Sequence, residues 1–439
     1  MTVTLIPAHY PEISEQDATC REEPSGSAAR LNACPAAHIR SEAPEGELVK
    51  IVALETVRPA VQPNLLFVRL HTDTGLTGLG EAFFGARTVE AYLHESVAPV
   101  LLGLARPTPE RVARLLTPYT GYQGSGAETR GNGAVDLALW DLLGKAAGLP
   151  LVDLLGGAVH DGMPIYNTCA GPGYIAVSTR QESGNWGLAA GRYEDLTAFL
   201  TDPAGLARDL CEQGIGGMKV WPFDGAAERT GGAGISRADL EQGLKVVEAI
   251  REEAGMDMKL MVELHGLWSR PAAETILGAL EPYRPFWVED PLRPDATDAY
   301  ARLDSPVPIA AGETCVGRRG FKPLLDSGAV DVLTLDVQWT GGLSEARKVA
   351  SLADAYGVPV APHDCTGPAT LAGCVHFVCG QPNGLIQETV RAFLHTWYGE
   401  LVTGLPVIVN GVVTPGREPG HGVRLREGDL AAQRHVSRL

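Results

Sequence analysis

Eight short apolar runs, each followed by a stretch with helical spacing, constrain this chain more than any other feature. They are MPIYN from Met163, GMKVW from Gly217, MKLMVEL from Met258, PFWVED from Pro285, VPIAAGE from Val307, VDVLTLDV from Val330, VPVAPHD from Val358 and GLIQET from Gly384. Amphipathic stretches such as SRADLEQGLKVVEAIREEAG and GLSEARKVASLADAYG lie between them, each ending in a glycine that can stop a helix. Strands this apolar suit burial on both faces, and strand-helix alternation makes them parallel. The expected fold is α/β, a closed parallel barrel; the pattern also fits a doubly wound open sheet. The stretch Gly171 to Gly191 is a long connection after the first run, and connections of that length are usually functional or disordered.

Residues before the runs read differently. Residues 1–46 are rich in Ala, Ser, Glu and Pro without periodicity, which predicts a poorly ordered extension. KIVALETVRPA and NLLFVRLHTDTGLTGLGEA read as strands joined by turns, and Thr88 to Leu155 has helical spacing with Gly148 as a C-cap. An α+β module over residues 47–160 therefore precedes a barrel over 161–395, with a further segment over 396–439. The net charge of −17 disfavours nucleic acid as a partner. No apolar run nears the roughly 20 residues that span a bilayer. The N-terminus lacks a basic start followed by an apolar block, so the expected location is the cytoplasm. Eight scattered cysteines form no CxxC pair and read as reduced thiols rather than a disulfide frame or zinc site.

In a parallel barrel the site forms at the C-terminal ends of the strands. Three consecutive runs end in glutamate: Glu263, Glu289 and Glu313, spaced 26 and 24 residues apart, one strand-helix unit each. Neighbouring strands lie about 4.8 Å apart, so the three carboxylates converge and repel. A hard divalent cation removes that conflict, and an all-carboxylate set points to Mg2+. The bland alternative gives each glutamate its own arginine or helix cap, which three in register disfavour. The next runs end in Asp336 and His363, a carboxylate and a histidine suited to general-base work. Glu388 ends the eighth run, Lys219 lies on the second, and His265 lies two residues beyond Glu263 on the same strand face.

With MVELH, WVEDP, AAGET, TLDVQWTGGLSEARKVA, VAPHD and LIQET in this order, preceded by ARGNGAVDLALWDLLGKAAGLPL and followed by PGHGV, the chain resembles the mandelate racemase branch of the enolase superfamily from about Lys50 to Gly422. The resemblance implies a modified (β/α)7β barrel under an N-terminal α+β capping domain, with the C-terminal segment returning to the cap. It implies Glu263, Glu289 and Glu313 as magnesium ligands, His363 and Asp336 as the base dyad, Glu388 as the acid that hydrogen-bonds a substrate carboxylate, and Lys219 as the first lysine of a Lys-x-Lys pair. The substrate is then a small carboxylic acid that loses its α-proton, and association into homo-oligomers is expected of such barrels.

The chain departs from the racemase pattern at Trp221, which stands where the second lysine would fall and cannot accept a proton. Glu263-Leu264-His265 matches instead the carboxylate-x-His of acid-sugar dehydratases, where the histidine protonates the departing hydroxyl. The expected reaction is elimination of water from an aldonate or aldarate to a 2-keto-3-deoxy acid. Racemase, epimerase or cycloisomerase activity is the alternative, and a non-catalytic binding protein on this scaffold a further one. Weaker candidates are Asp224 as a pocket residue, Arg318, Arg319 and Arg391 for distal substrate groups, Asp290 beside Glu289, and Tyr174 and Trp186 in the long first connection.

Overall fold

The structure is a computed structural model and describes residues 49–117, 126–176, 182–428 and 430–439. The expectation of an extension over residues 1–46 lies outside the described residues. The N-terminal part is an antiparallel sheet of β1 (Ile51–Pro59), β2 (Leu65–Thr72) and β3 (Thr77–Phe83), and the strand Ala432–Arg438 from the chain's far end pairs with the free edge of β1. The 21-residue helix Ala127–Ala147 packs on β3 and ends at Gly148, which adopts φ 67°. Gly80 and Gly78 allow this close packing. A Cβ on Gly80 would sit 2.0 Å from the Ala134 carbonyl oxygen, and one on Gly78 2.1 Å from that of Ala138.

The eight apolar runs become eight staves. β4 (Met163–Thr168), β5 (Gly217–Val220), β6 (Lys259–Glu263), β7 (Trp287–Glu289), β8 (Ile309–Ala311) and β9 (Val332–Leu333) pair in parallel and in chain order. The seventh run joins through single bridges, Leu333 to Val360, Asp336 to His363 and Val360 to Gly384. β10 (Gln387–Thr389) then pairs with β4 and closes the ring, which excludes the open sheet. Tyr166, Met261, Trp287, Ala310, Val332, Ala361 and Ile386, from seven different staves, form one buried cluster. The interior is thus a packed core, as a barrel of this width requires. A short hairpin, Val407–Val409 with Val412–Thr414, pairs with the start of β4 at the opposite end from the site. No helix among the described residues is long and apolar enough to cross a membrane.

Candidate active site at the C-terminal ends of the staves

The ring brings the predicted side chains together. Glu263 and Glu289 are the last residues of β6 and β7 and are register partners. Glu313 lies two residues past β8, beyond a turn at Gly312. One oxygen from each of the three lies within 4.8 Å of the others. Lys219 on β5 reaches two of the three and Glu388, with Nζ 3.0 Å from Glu289, 3.3 Å from Glu263 and 3.2 Å from Glu388. One lysine does not balance the carboxylates. Burial, together with Glu263 and Glu388, pushes Glu289 up to about 7 despite Lys219. Glu263 Oε2 is buried without a hydrogen bond. An oxygen-only set with excess negative charge, one oxygen of which has an ion pair but no hydrogen bond, fits a hard divalent cation. A second group, Glu90, His94 and His435, is equally close. There, however, Thr56 and Arg58 occupy the oxygens of Glu90, and Thr56 and Ser437 occupy the nitrogens of His94.

Two histidines face the triad, each oriented by its own carboxylate. His363 Nδ1 lies 2.9 Å from Asp336 Oδ2, and Asp336 Oδ1 accepts from the backbone N–H groups of Gln338 and Trp339 at 2.7 and 2.8 Å. The carboxylate thus fixes the ring and leaves Nε2 to the cavity, 3.3 Å from Glu313. Burial favours neutral imidazole here, but Glu313, Glu388 and Asp336 outweigh it and raise the pKa well above the usual value. His265 Nδ1 lies 2.7 Å from Asp224 Oδ2. Burial opposes its charge, yet Asp224 and Glu263 raise it to about 10. His265 does not continue the strand face. It adopts φ 51°, and its N–H donates to Glu263 Oε1 at 2.8 Å. Because His265 follows the third stave and His363 the seventh, they approach the triad from opposite sides of the ring.

Glu263, Glu313, His265 and His363 line a cavity of about 190 Å³ with Thr168, Trp221, Glu388, Phe84, Arg130 and Tyr174 among its walls. That is below the roughly 300–1,000 Å³ of a drug-sized site and suits a small metabolite.

Known proteins converge on the same architecture. Residues 42–156 match the mandelate racemase / muconate lactonizing enzyme N-terminal domain, and residues 203–429 match the enolase C-terminal domain-like family. The D-galactonate dehydratase of Ralstonia nicotianae (strain ATCC BAA-1114 / GMI1000) is 32% identical over 391 residues, 86% of this chain and 93% of that protein. That of Variovorax paradoxus (strain S110) is 31% identical over 89% of this chain and 95% of its own length. Among solved structures, an enolase of the mandelate racemase subgroup from Agrobacterium tumefaciens superposes with a TM-score of 0.77 at 44% identity, covering 89% of this chain and 99% of that one. An enolase protein from Sargasso Sea environmental sequencing superposes at 0.78 and 39% identity, covering 89% and 100%. The chain belongs to the mandelate racemase / muconate lactonizing enzyme family of the enolase superfamily. It is an enzyme of that superfamily.

The remaining candidates divide within this family member. Glu388 is ionised in its surroundings. Burial opposes the charge, but Lys219, His363, a hydroxyl from Thr168 and the Asp364 N–H bring it down to about 2. Trp221 both packs and lines the pocket: its ring meets Phe199 and Tyr174, and its Nε1 is buried without a partner. Asp224 acts on His265 rather than on the cavity directly. Asp290 sits behind the triad, where its Oδ1 accepts from the Gly312 N–H at 3.1 Å. Tyr174 walls the cavity, and Trp186 is buried nearby in the first connection. Of the arginines, Arg391 is locked by Asp195 and Asp209, Arg318 pairs with Glu345, and Arg319 lines a separate cavity. The arginine that does reach the site, Arg130 of the capping domain, was not among the sequence candidates. It sits near the start of a helix whose direction relative to the barrel no local pattern encodes.

Proposed function

We propose that this enzyme is a magnesium-dependent dehydratase, a hydro-lyase that removes the α-proton of a sugar acid and then its 3-hydroxyl. One observation supports the reading best. The triad is flanked by two carboxylate-held histidines on opposite sides, while an indole occupies the place of a second lysine base. Sugar-acid chemistry draws further support from the D-galactonate dehydratases that the chain resembles.

Glu263, Glu289 and Glu313 would hold Mg2+, whose charge stabilises the enediolate that deprotonation creates. Lys219 adds a fixed positive charge beside the same carboxylate. His363, fixed by Asp336 as the Nδ1–H tautomer, accepts the C2 proton at Nε2. Glu313 is its strongest charged neighbour, so His363 releases its own proton more readily once the charge on Glu313 is neutralised. His265, kept protonated by Asp224, gives a proton from Nε2 to the departing C3 hydroxyl. The enol left behind tautomerises to a 2-keto-3-deoxy acid. Glu388 keeps Lys219 charged and in place. Trp221 offers an N–H donor but no base, which disfavours inversion at C2.

Proton NMR in D2O, with Mg2+ and a panel of four- to six-carbon aldonates and aldarates, tests this reading. The expected result is a new C3 methylene carrying one deuterium, absent with His363→Asn. Inversion at C2 without loss of water would overturn it.

A further inference from the structure

Every charged side chain along the cavity has a partner except one. Lys219, Glu263, Glu313, Glu388, His265 and His363 are tied to one another or to Asp224 and Asp336. The Arg130 side chain makes no hydrogen bond or ion pair among the described residues, its Nε is buried without a partner, and Asp336 acts on it only through space. Its guanidinium lies 5.0 Å from the centroid of the Trp339 ring and 5.7 Å from that of Phe84. Two aromatic faces restrict the plane of the fork, while its N–H edges stay uncommitted. Nothing in the proton-transfer scheme uses this charge.

Its position says what it meets. The barrel supplies Lys219, Glu263 and Glu388 at the stave ends, where the reacting carboxylate is expected. Phe84 and Arg130 come from the capping domain and wall the same cavity from outside the ring. A substrate held by its reacting carboxylate at the stave ends turns its other end toward the cap. A half-buried guanidinium without an ion-pair partner favours a planar anion that accepts two parallel N–H bonds, and a carboxylate matches that fork. A terminal hydroxyl offers one neutral acceptor and leaves the charge unbalanced.

We infer that Arg130 reads a second carboxylate at the far end of the substrate, so that the sugar acid this enzyme prefers is an aldarate, a dicarboxylate. The inference rests on the dehydratase reading and narrows its substrate class.

Binding separates the two. Titration calorimetry of His363→Asn with Mg2+ would compare pairs of six-carbon acids that differ only at C6: galactonate and galactarate, gluconate and glucarate, mannonate and mannarate. The expected result is a dicarboxylate preference of roughly tenfold to 100-fold in at least one pair, the range that a hydrogen-bonded charge pair supports over a neutral one. Adding Arg130→Met abolishes that preference, and Arg130→Lys keeps part of it. Equal affinity within every pair, no binding of any acid, or a preference unaltered by Arg130→Met would overturn the inference and mark Arg130 as a structural cation. If the parent protein binds a dicarboxylate through Arg130 but releases no water from it, the dehydratase reading falls and this inference stands. If it dehydrates both members of each pair equally, the reverse holds.

Discussion

At the residue scale, the roles proposed for the two histidines can be taken apart. The His363 and His265 rings are held by different carboxylates, Asp336 and Asp224, and share no hydrogen-bond partner. Replacing His265 with Asn should therefore slow loss of water by about 10²–10⁴-fold, the usual contribution of a positioned acid. Exchange of the C2 proton with deuterium should continue, because the base and triad are untouched. Deuterium NMR of recovered substrate checks this, and loss of exchange together with elimination would contradict separate roles. Much of this site was legible before any coordinates. Glu263, Glu289, Asp336, His363 and Glu388 recur at the ends of apolar runs one strand-helix unit apart, and ring closure converts that spacing into proximity. What stayed hidden depends on turns and packing. The pairing of His265 with Asp224 needs a left-handed backbone at 265, and Arg130 needs the cap in place.

At the element scale, the capping domain grips the barrel through the helices that follow the two staves of the base dyad. Asp136, on the helix Ala127–Ala147, accepts from the Ser344 N–H at 2.9 Å and its hydroxyl at 2.6 Å, at the start of the helix Leu343–Ala355. Glu81 on β3 accepts from the N–H groups of Ala369 and Thr370 at 2.9 and 3.0 Å, at the start of the helix Pro368–Cys379. Each carboxylate satisfies N–H groups that a helix leaves unpaired, beside the positive end of its dipole. Gly342 permits the first contact. It has φ 104°, and a Cβ there would lie 2.5 Å from Asp136. Gly342→Ala should destabilise the protein by about 1–3 kcal/mol, the range for a strained backbone position. It should also lower kcat, since Asp336 lies in the turn just before. Urea unfolding and steady-state rates would show both effects, and an unshifted midpoint would mean that the helix start is not under strain. The TGGLSEARKVA segment announced a helix in the sequence. That its glycines make room for a carboxylate from another layer was not readable, because the contact spans 206 residues of chain between Asp136 and Gly342.

At the scale of the whole molecule, the barrel carries the glutamate triad and the two histidines, and the cap walls the cavity with Phe84 and Arg130. The last part of the chain is tied to the cap. Gly420 exchanges backbone hydrogen bonds with Leu149 and Leu151, His421 reaches the Leu79 carbonyl and Asp141, and Ala432–Arg438 pairs along β1 from Pro59 to Ala53. Arg434 adds a pair with Glu55 at 2.9 Å, one of the contacts, with His71 the largest, that bring Glu55 down to about 2. Ending the chain after Leu430 removes this strand and leaves β1 an open edge. Each lost ladder bond is worth roughly 0.5–1.5 kcal/mol, so the melting temperature should fall clearly. The shortened protein should still bind Mg2+, because the triad lies wholly on the barrel, while KM for the sugar acid rises as the cap loosens. The sign of the pH effect follows from Glu55. Its folded value lies below its usual 4.5, so its contribution is full above that pH and is lost as pH falls toward 2. The shortened chain has already lost part of that contribution, so the part of the stability gap that Glu55 supplies should persist from pH 7 to pH 4 and narrow between pH 4 and pH 2. Calorimetric melting at pH 7, 4 and 2.5, with magnesium titration at pH 7, measures each part. A shortened chain that melts with the parent, or that loses magnesium along with substrate affinity, would mean that the strand does not act through the cap.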